Sequence, residues 1–252
     1  MSVNPDWRER NGLTVASSQT VSVPAKILRG FVTLESVDVE PRNAIANLNA
    51  KKKTAIDALK TIGVHENSTK TTSTRILEWD TTPKTSNYYR SNTNGFLPTT
   101  DSDEYTAVAH LSFDIPLTGM DPDELIILPH DTCKRLKKET VFESRKIFFL
   151  YVGETKESQI ADATKKAYGE ALASAQSTAA LSGRSLGKLA ALTPETNGRW
   201  RYWSEPSYGY WTDDAAEKNP LSNFSPADNE VFGNDASKLS RTCSVELRFN
   251  IE

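Results

Sequence analysis

Histidine and cysteine are the side chains best suited to metal or nucleophile chemistry, and this chain carries few of them. His130 and Cys133 stand at H-x-x-C spacing, which is half of a zinc site. The rest of the set, His65, His110 and Cys243, supplies no second half, so the pair reads as structural rather than metal-binding. A Cys–His nucleophile needs a pairing geometry that spacing alone does not give. His110 falls on the polar side of an alternating stretch and is expected to face solvent. Cys133 and Cys243 are too few for a disulfide scaffold and are expected to be free thiols.

Other motifs resolve in the same way. Asp121, Asp123 and Glu124 form an acidic cluster where a helix should begin, and carboxylates there favour the helix dipole. The spacing of a calcium loop is missing. Gly183-Arg-Ser-Leu-Gly187-Lys188 lacks one residue between the glycines and the Ser or Thr after the lysine of a phosphate loop, and it follows a helix instead of a strand. The sequons at Asn67 and Asn223 have meaning only in a secreted eukaryotic protein. No catalytic residue, metal or cofactor is assigned.

The one unusual composition is WRYWSEPSYGYW, residues 200–211. Trp200, Tyr202, Trp203, Tyr208, Tyr210 and Trp211 offer large rigid surfaces suited to a protein interface. They are read as contacts between subunits. The alternatives are a small ligand or client protein held beneath this segment, or a loop tucked over a sheet to finish the core.

The elements that must carry these residues follow from periodicity. Residues 156–192 organise the chain: an alanine-dense helix with a stripe at Ile160, Ala163, Ala167, Leu172, Ala175, Ala179 and Leu181, closed at Gly183 and followed by a short strand. Such a helix needs a broad sheet to cover. Before it, residues 13–24 and 27–39 read as two strands joined as a hairpin by Pro24-Ala25-Lys26. A helix follows from Pro41, with Ile45, Leu48, Ala55, Ile56, Leu59 and Ile62 on one face and Gly63 as its stop. The lysines 51–53 decorate its solvated face. Residues 68–80, 105–117 and 146–152 read as strands, the last buried on both faces. Residues 121–138 read as a helix broken or started by Pro129. Residues 196–238 look irregular, and 243–251 close the chain as a strand with one wet face.

A net charge of −3 and 37% hydrophobic residues describe an ordinary polar chain with no basic excess for nucleic acid. No apolar run is long enough for a transmembrane helix. MSVNPDWRERNG lacks the apolar core of an export signal, which points to the cytoplasm or to a signal already removed.

The order of these pieces resembles the SIMPL-domain family, bacterial proteins related to periplasmic immunogenic antigens and oxidative-stress proteins. The likeness lies in LTVASSQTVSVPAKILRGFVTLES, in NAIANLNAKKKTAIDALKTIGV, in ATKKAYGEALASAQSTAALSGRSLGKLAAL and in the closing SVELRFNIE. It implies an α+β fold of antiparallel sheets with two main helices in repeated strand-helix-strand units. It places a tail at 1–12 and one domain at 13–252, with 196–238 an aromatic-rich loop insertion. It also implies a non-enzymatic, ring-like or channel-like homo-oligomer and a periplasmic location, and no catalytic motif is carried over.

Overall fold

The computed structural model describes residues 12–72, 74–78, 105–143, 147–197 and 227–251. Its first half runs β1 (Gly12–Ser22), β2 (Ile27–Asp38), α1 (Pro41–Thr61), β3 (Thr69–Thr71), β4 (Arg75–Glu78), β5 (Tyr105–Pro116) and α2 (Pro122–Leu136). The second runs β6 (Ile147–Glu154), α3 (Glu157–Leu181), β7 (Leu186–Asn197), β8 (Glu230–Gly233) and β9 (Ser240–Ile251). The result is an α+β fold with two antiparallel sheets, one ordered β1-β9-β7, the other β3-β5-β2-β6-β8 with β4 also on β5.

β1 and β2 do not form the expected hairpin. β1 pairs along its whole length with the last strand, from Gly12 opposite Asn250 to Ser22 opposite Ser240, while β2 lies between β5 and β6 in the other sheet. Pro24-Ala25-Lys26 is the crossing between sheets. Its backbone is satisfied by distant segments: Lys26 N–H donates to the Val152 carbonyl at 2.8 Å, and Leu117 N–H donates to the Lys26 carbonyl at 3.0 Å. Adjacent in sequence favours pairing, but a proline beside a short connector that bonds elsewhere removes the turn that a hairpin needs.

α3 covers the smaller sheet through Ala163, Ala167, Ala171, Ala175 and Ala179, all buried, and Ala167, Ala171 and Ala175 pack on Val245, Leu247 and Phe249 of β9. Alanine at every inward position lets the helix approach the sheet closely and costs no side-chain entropy. Leu181 departs from the expected stripe. It points outward, because Ala179 holds the inward position of the last turn and the helix stops one residue on. Both α1 and α3 end in the same way. Gly63 (φ 92°) and Gly183 (φ 68°) take the left-handed conformation; Val64 N–H then reaches back to the Leu59 carbonyl and Arg184 N–H to that of Ala179. These are Schellman stops, for which glycine avoids the steric cost of a Cβ.

On the larger sheet α1 buries Ala44, Leu48, Ala55, Ala58 and Leu59 against Val32 and Leu34 of β2 and Ala107, Ala109, Leu111 and Phe113 of β5. The single strand expected over 68–80 is split. A short 3-10 turn (Glu66–Ser68) leads into β3, and Thr72 then interrupts, trading backbone and side-chain bonds with His110, before β4 resumes on the same edge. α2 runs straight through Pro129, so the expected break is absent. The irregular reading of 196–238 holds neither at its start, where β7 extends to Asn197, nor at 230–233, where β8 pairs with β6.

Candidate functional site

The residues singled out for chemistry do not converge. His130 and Cys133 lie one turn apart on α2; His130 is exposed and its Nδ1 sits 3.3 Å from the Asp131 carboxylate. His65 is exposed in the connection that follows α1, and Cys243 is buried in β9. Both cysteines are free thiols. Among the described residues no three His, Cys, Asp or Glu side chains gather as metal ligands. Asp121 and Glu124 are accounted for by α2 itself: the Asp121 carboxylate accepts from Glu124 N–H and the Glu124 carboxylate from Asp121 N–H, a reciprocal capping box. The aromatic set Trp200, Tyr202, Trp203, Tyr208, Tyr210 and Trp211 lies outside the described residues. His110 is a correction. It is buried, and the register that sets Thr33 of β2 directly opposite it gives the ring a partner, Nδ1 lying 3.1 Å from Thr33 Oγ1.

The arrangement with most chemistry in it lies on the face of the larger sheet turned away from α1. β2 alternates, so Leu28, Val32 and Leu34 meet α1 or α2 while Arg29, Phe31 and Thr33 share the opposite face. Register places Asp114 of β5 directly opposite Arg29, and β8 brings Glu230 and Phe232 to the same place. The Arg29 guanidinium is buried and forks onto both carboxylates: Nε and Nη2 donate to Asp114 at 2.6 and 2.9 Å, Nη1 and Nη2 to Glu230 at 3.2 and 3.0 Å. The Phe232 ring centroid lies 5.8 Å from Arg29 Cζ, within cation–π range. Glu230 takes a further bond from Ala227 N–H at 3.0 Å. Burial pulls the Arg29 pKa down, but the hydrogen bonds and charges of Asp114 and Glu230 outweigh it and raise the pKa above its ordinary value. An incoming anion would have to displace a carboxylate already bound in bidentate geometry, so the cluster is built to tie β2, β5 and β8 together.

A family model described as SIMPL, protein of unknown function (DUF541), matches residues 13–249, nearly the whole chain. The chain belongs to the SIMPL family. The SIMPL match opens in β1 and closes in β9, so it takes in both sheets and all three helices described above. No curated protein matches the chain. Three solved structures from Listeria innocua align over 94% of this SIMPL chain and 92% of their own. One described as a hydrolase has 12% identity and a TM-score of 0.17. One described as an uncharacterized conserved protein has 9% and 0.16, and a second described as a hydrolase has 9% and 0.15. Likenesses of this size carry no argument about this chain, and the word hydrolase stays with those proteins.

Sequence reasoning missed the Arg29 cluster. Its signal was present: a charged residue inside the apolar run Ile27–Leu34 and another in the apolar end of β5. Charges in buried strands are rare unless paired. The surface of this SIMPL chain holds large apolar side chains as well. Leu189 and Leu192 of β7 stand opposite the inward Phe249 and Leu247 of β9, on the side that α3 covers, yet both remain substantially exposed because α3 lies over β1 and β9. Ile126 and Ile127 of α2 and Leu181 of α3 are exposed too. No helix among the described residues is long and apolar enough to cross a membrane.

Proposed function

We propose that this SIMPL protein is a non-enzymatic, self-assembling protein whose copies associate into a ring-like or channel-like homo-oligomer. The observation that carries this reading is an apolar strip on β7 that no element among the described residues covers. Leu189 and Leu192, 43% and 52% exposed, continue the inward face of the sheet past the cover of α3. Soluble monomers seldom leave such surface uncovered, and burying it against a second copy supplies a hydrophobic driving force. The Arg29 cluster supports the non-enzymatic half of the reading, since both of its carboxylates are held by one buried guanidinium. Sedimentation velocity over a wide concentration range tests the proposal. A single species of several subunits is expected; a monomer at every concentration sinks it. Leu189→Ser/Leu192→Ser should reduce the assembled mass while circular dichroism of the subunit is retained.

A further inference from the structure

We infer that the outer edge of β1 is a docking edge for the β1 of a second copy, giving a two-fold antiparallel strand pair centred on Ser17. The inference rests on the reading that copies of this chain assemble. Among the described residues β1 is an edge strand of the smaller sheet, and β7 is the other edge. The two edges are built differently. β7 carries Lys188, Pro194 and two register shifts, all devices that keep a sheet edge from pairing with another chain. β1 has none of them. Its 11 residues, GLTVASSQTVS, contain no charge and no proline, and their register against β9 is unbroken from end to end. A straight, neutral, Thr- and Val-rich edge is the kind that accepts another strand.

The occupant is fixed by the strand's own order. Paired antiparallel to itself about Ser17, β1 sets Leu13 opposite Val21, Thr14 opposite Thr20, Val15 opposite Gln19 and Ala16 opposite Ser18. Every pair keeps like faces together: the residues inclined toward α3 meet their own kind, and the wet residues meet theirs. Apolar pairs and Thr–Thr pairs are favourable across strands, and no like charges oppose. Leu13 and Val15 pack on the core beneath α3 yet remain only half-buried, whereas Phe249 and Leu247 beside them on β9 are buried. An added strand would complete their cover. At the centre of the pair, Glu170 of α3 accepts from Ser17 Oγ at 2.8 Å and from Gln19 Nε2 at 2.7 Å, so the α3-side side chains are already ordered and this carboxylate is answered by two donors.

The register gives a direct test. Cα atoms of opposed residues in an antiparallel pair lie about 4.5–5.5 Å apart, within disulfide reach. Ser17→Cys, made in a Cys133→Ser background of the full chain, should therefore form a reducible covalent dimer under mild oxidation. Ala16→Glu/Ser18→Glu should lower the assembled mass by placing like charges opposite each other, and Ala16→Lys/Ser18→Glu should restore it by placing opposite charges there. Wild-type assembly without the Ser17→Cys dimer, and with both charge variants unaffected, overturns the β1 edge but leaves self-assembly standing. A wild-type chain that is monomeric throughout, with no Ser17→Cys dimer, overturns both. Should the Glu/Glu variant fail to fold by circular dichroism, the cross-link decides the matter alone.

Discussion

Tyr151 of β6 donates its hydroxyl to the backbone carbonyl of Leu125, the oxygen that residue 129 would have bonded were it not proline. An interior proline removes one helix hydrogen bond and leaves an acceptor orphaned. Here a buried phenol on the sheet supplies the missing donor, so α2 keeps its course and is anchored to the core at its weakest turn.

Tyr151→Phe removes that donor and keeps the ring. The expected cost is about 1–2 kcal/mol for a desolvated carbonyl left unpaired, read as a lower urea midpoint. In a Pro129→Ala background the backbone N–H returns to Leu125, and the same substitution should cost clearly less. Equal costs in the two backgrounds would show that the bond does not answer the proline. The pH dependence follows too. Burial raises the Tyr151 pKa above its ordinary value of 10.0, with the charge of Asp235 adding to it. A raised folded pKa means that this stabilisation is complete below the ordinary phenol pKa and is lost as pH rises through the folded value. Tyr151→Phe should therefore flatten the fall in melting temperature above about pH 10.

Arg29→Met leaves Asp114 and Glu230 facing each other across the sheet without their cation. Breaking a buried pair from one side costs about 3–5 kcal/mol, so a large drop in melting temperature is expected at neutral pH. Protonating the stranded carboxylates removes the repulsion, so the variant should recover part of the deficit in mild acid. A deficit that stays constant from neutral to acid pH would mean that the carboxylates do not depend on Arg29.

Gly30 is required by its neighbour. A Cβ placed there would come within 2.6 Å of Cε1 and 2.7 Å of Cε2 of Phe113, whose ring is fully buried and stands edge-on to Phe149 at 6.1 Å between centroids. Gly30→Ala should destabilise by about 1–3 kcal/mol or more through overpacking. Phe113→Leu, itself costly, should relieve part of that penalty when combined with it. Strictly additive losses in the double-mutant cycle would refute the contact.

Local terms explain what could be read in advance. The alanine stripe of α3, the proline that opens α1, the glycines that close α1 and α3, and the alternation of β5 and β9 are all set by contacts within a few residues, whose periodicity or cap chemistry is written in the order of side chains. The likeness to SIMPL rested on that order and is matched over residues 13–249. The residues chosen as an interface, 200–211, fall outside the described structure, so the site that it does define was found without them.

What the tertiary structure alone decided involves partners far apart in the chain. The sequence determined that residues 12–22 are a strand, but their partner is the last strand and not the next one, because Lys26 finds its backbone bonds at Val152 and Leu117. It determined that Pro129 weakens a helix, but a hydroxyl on β6 repairs it. It placed His110 on the polar side of its strand, but the residue is buried and bonded to Thr33 of β2, and Arg29 meets Asp114 and Glu230 only through the register of β2 with β5 and the arrival of β8. Strand pairing and charge pairing depend on which distant segments meet. The energy of that meeting lies in surfaces removed from water together, and no local window of sequence contains it.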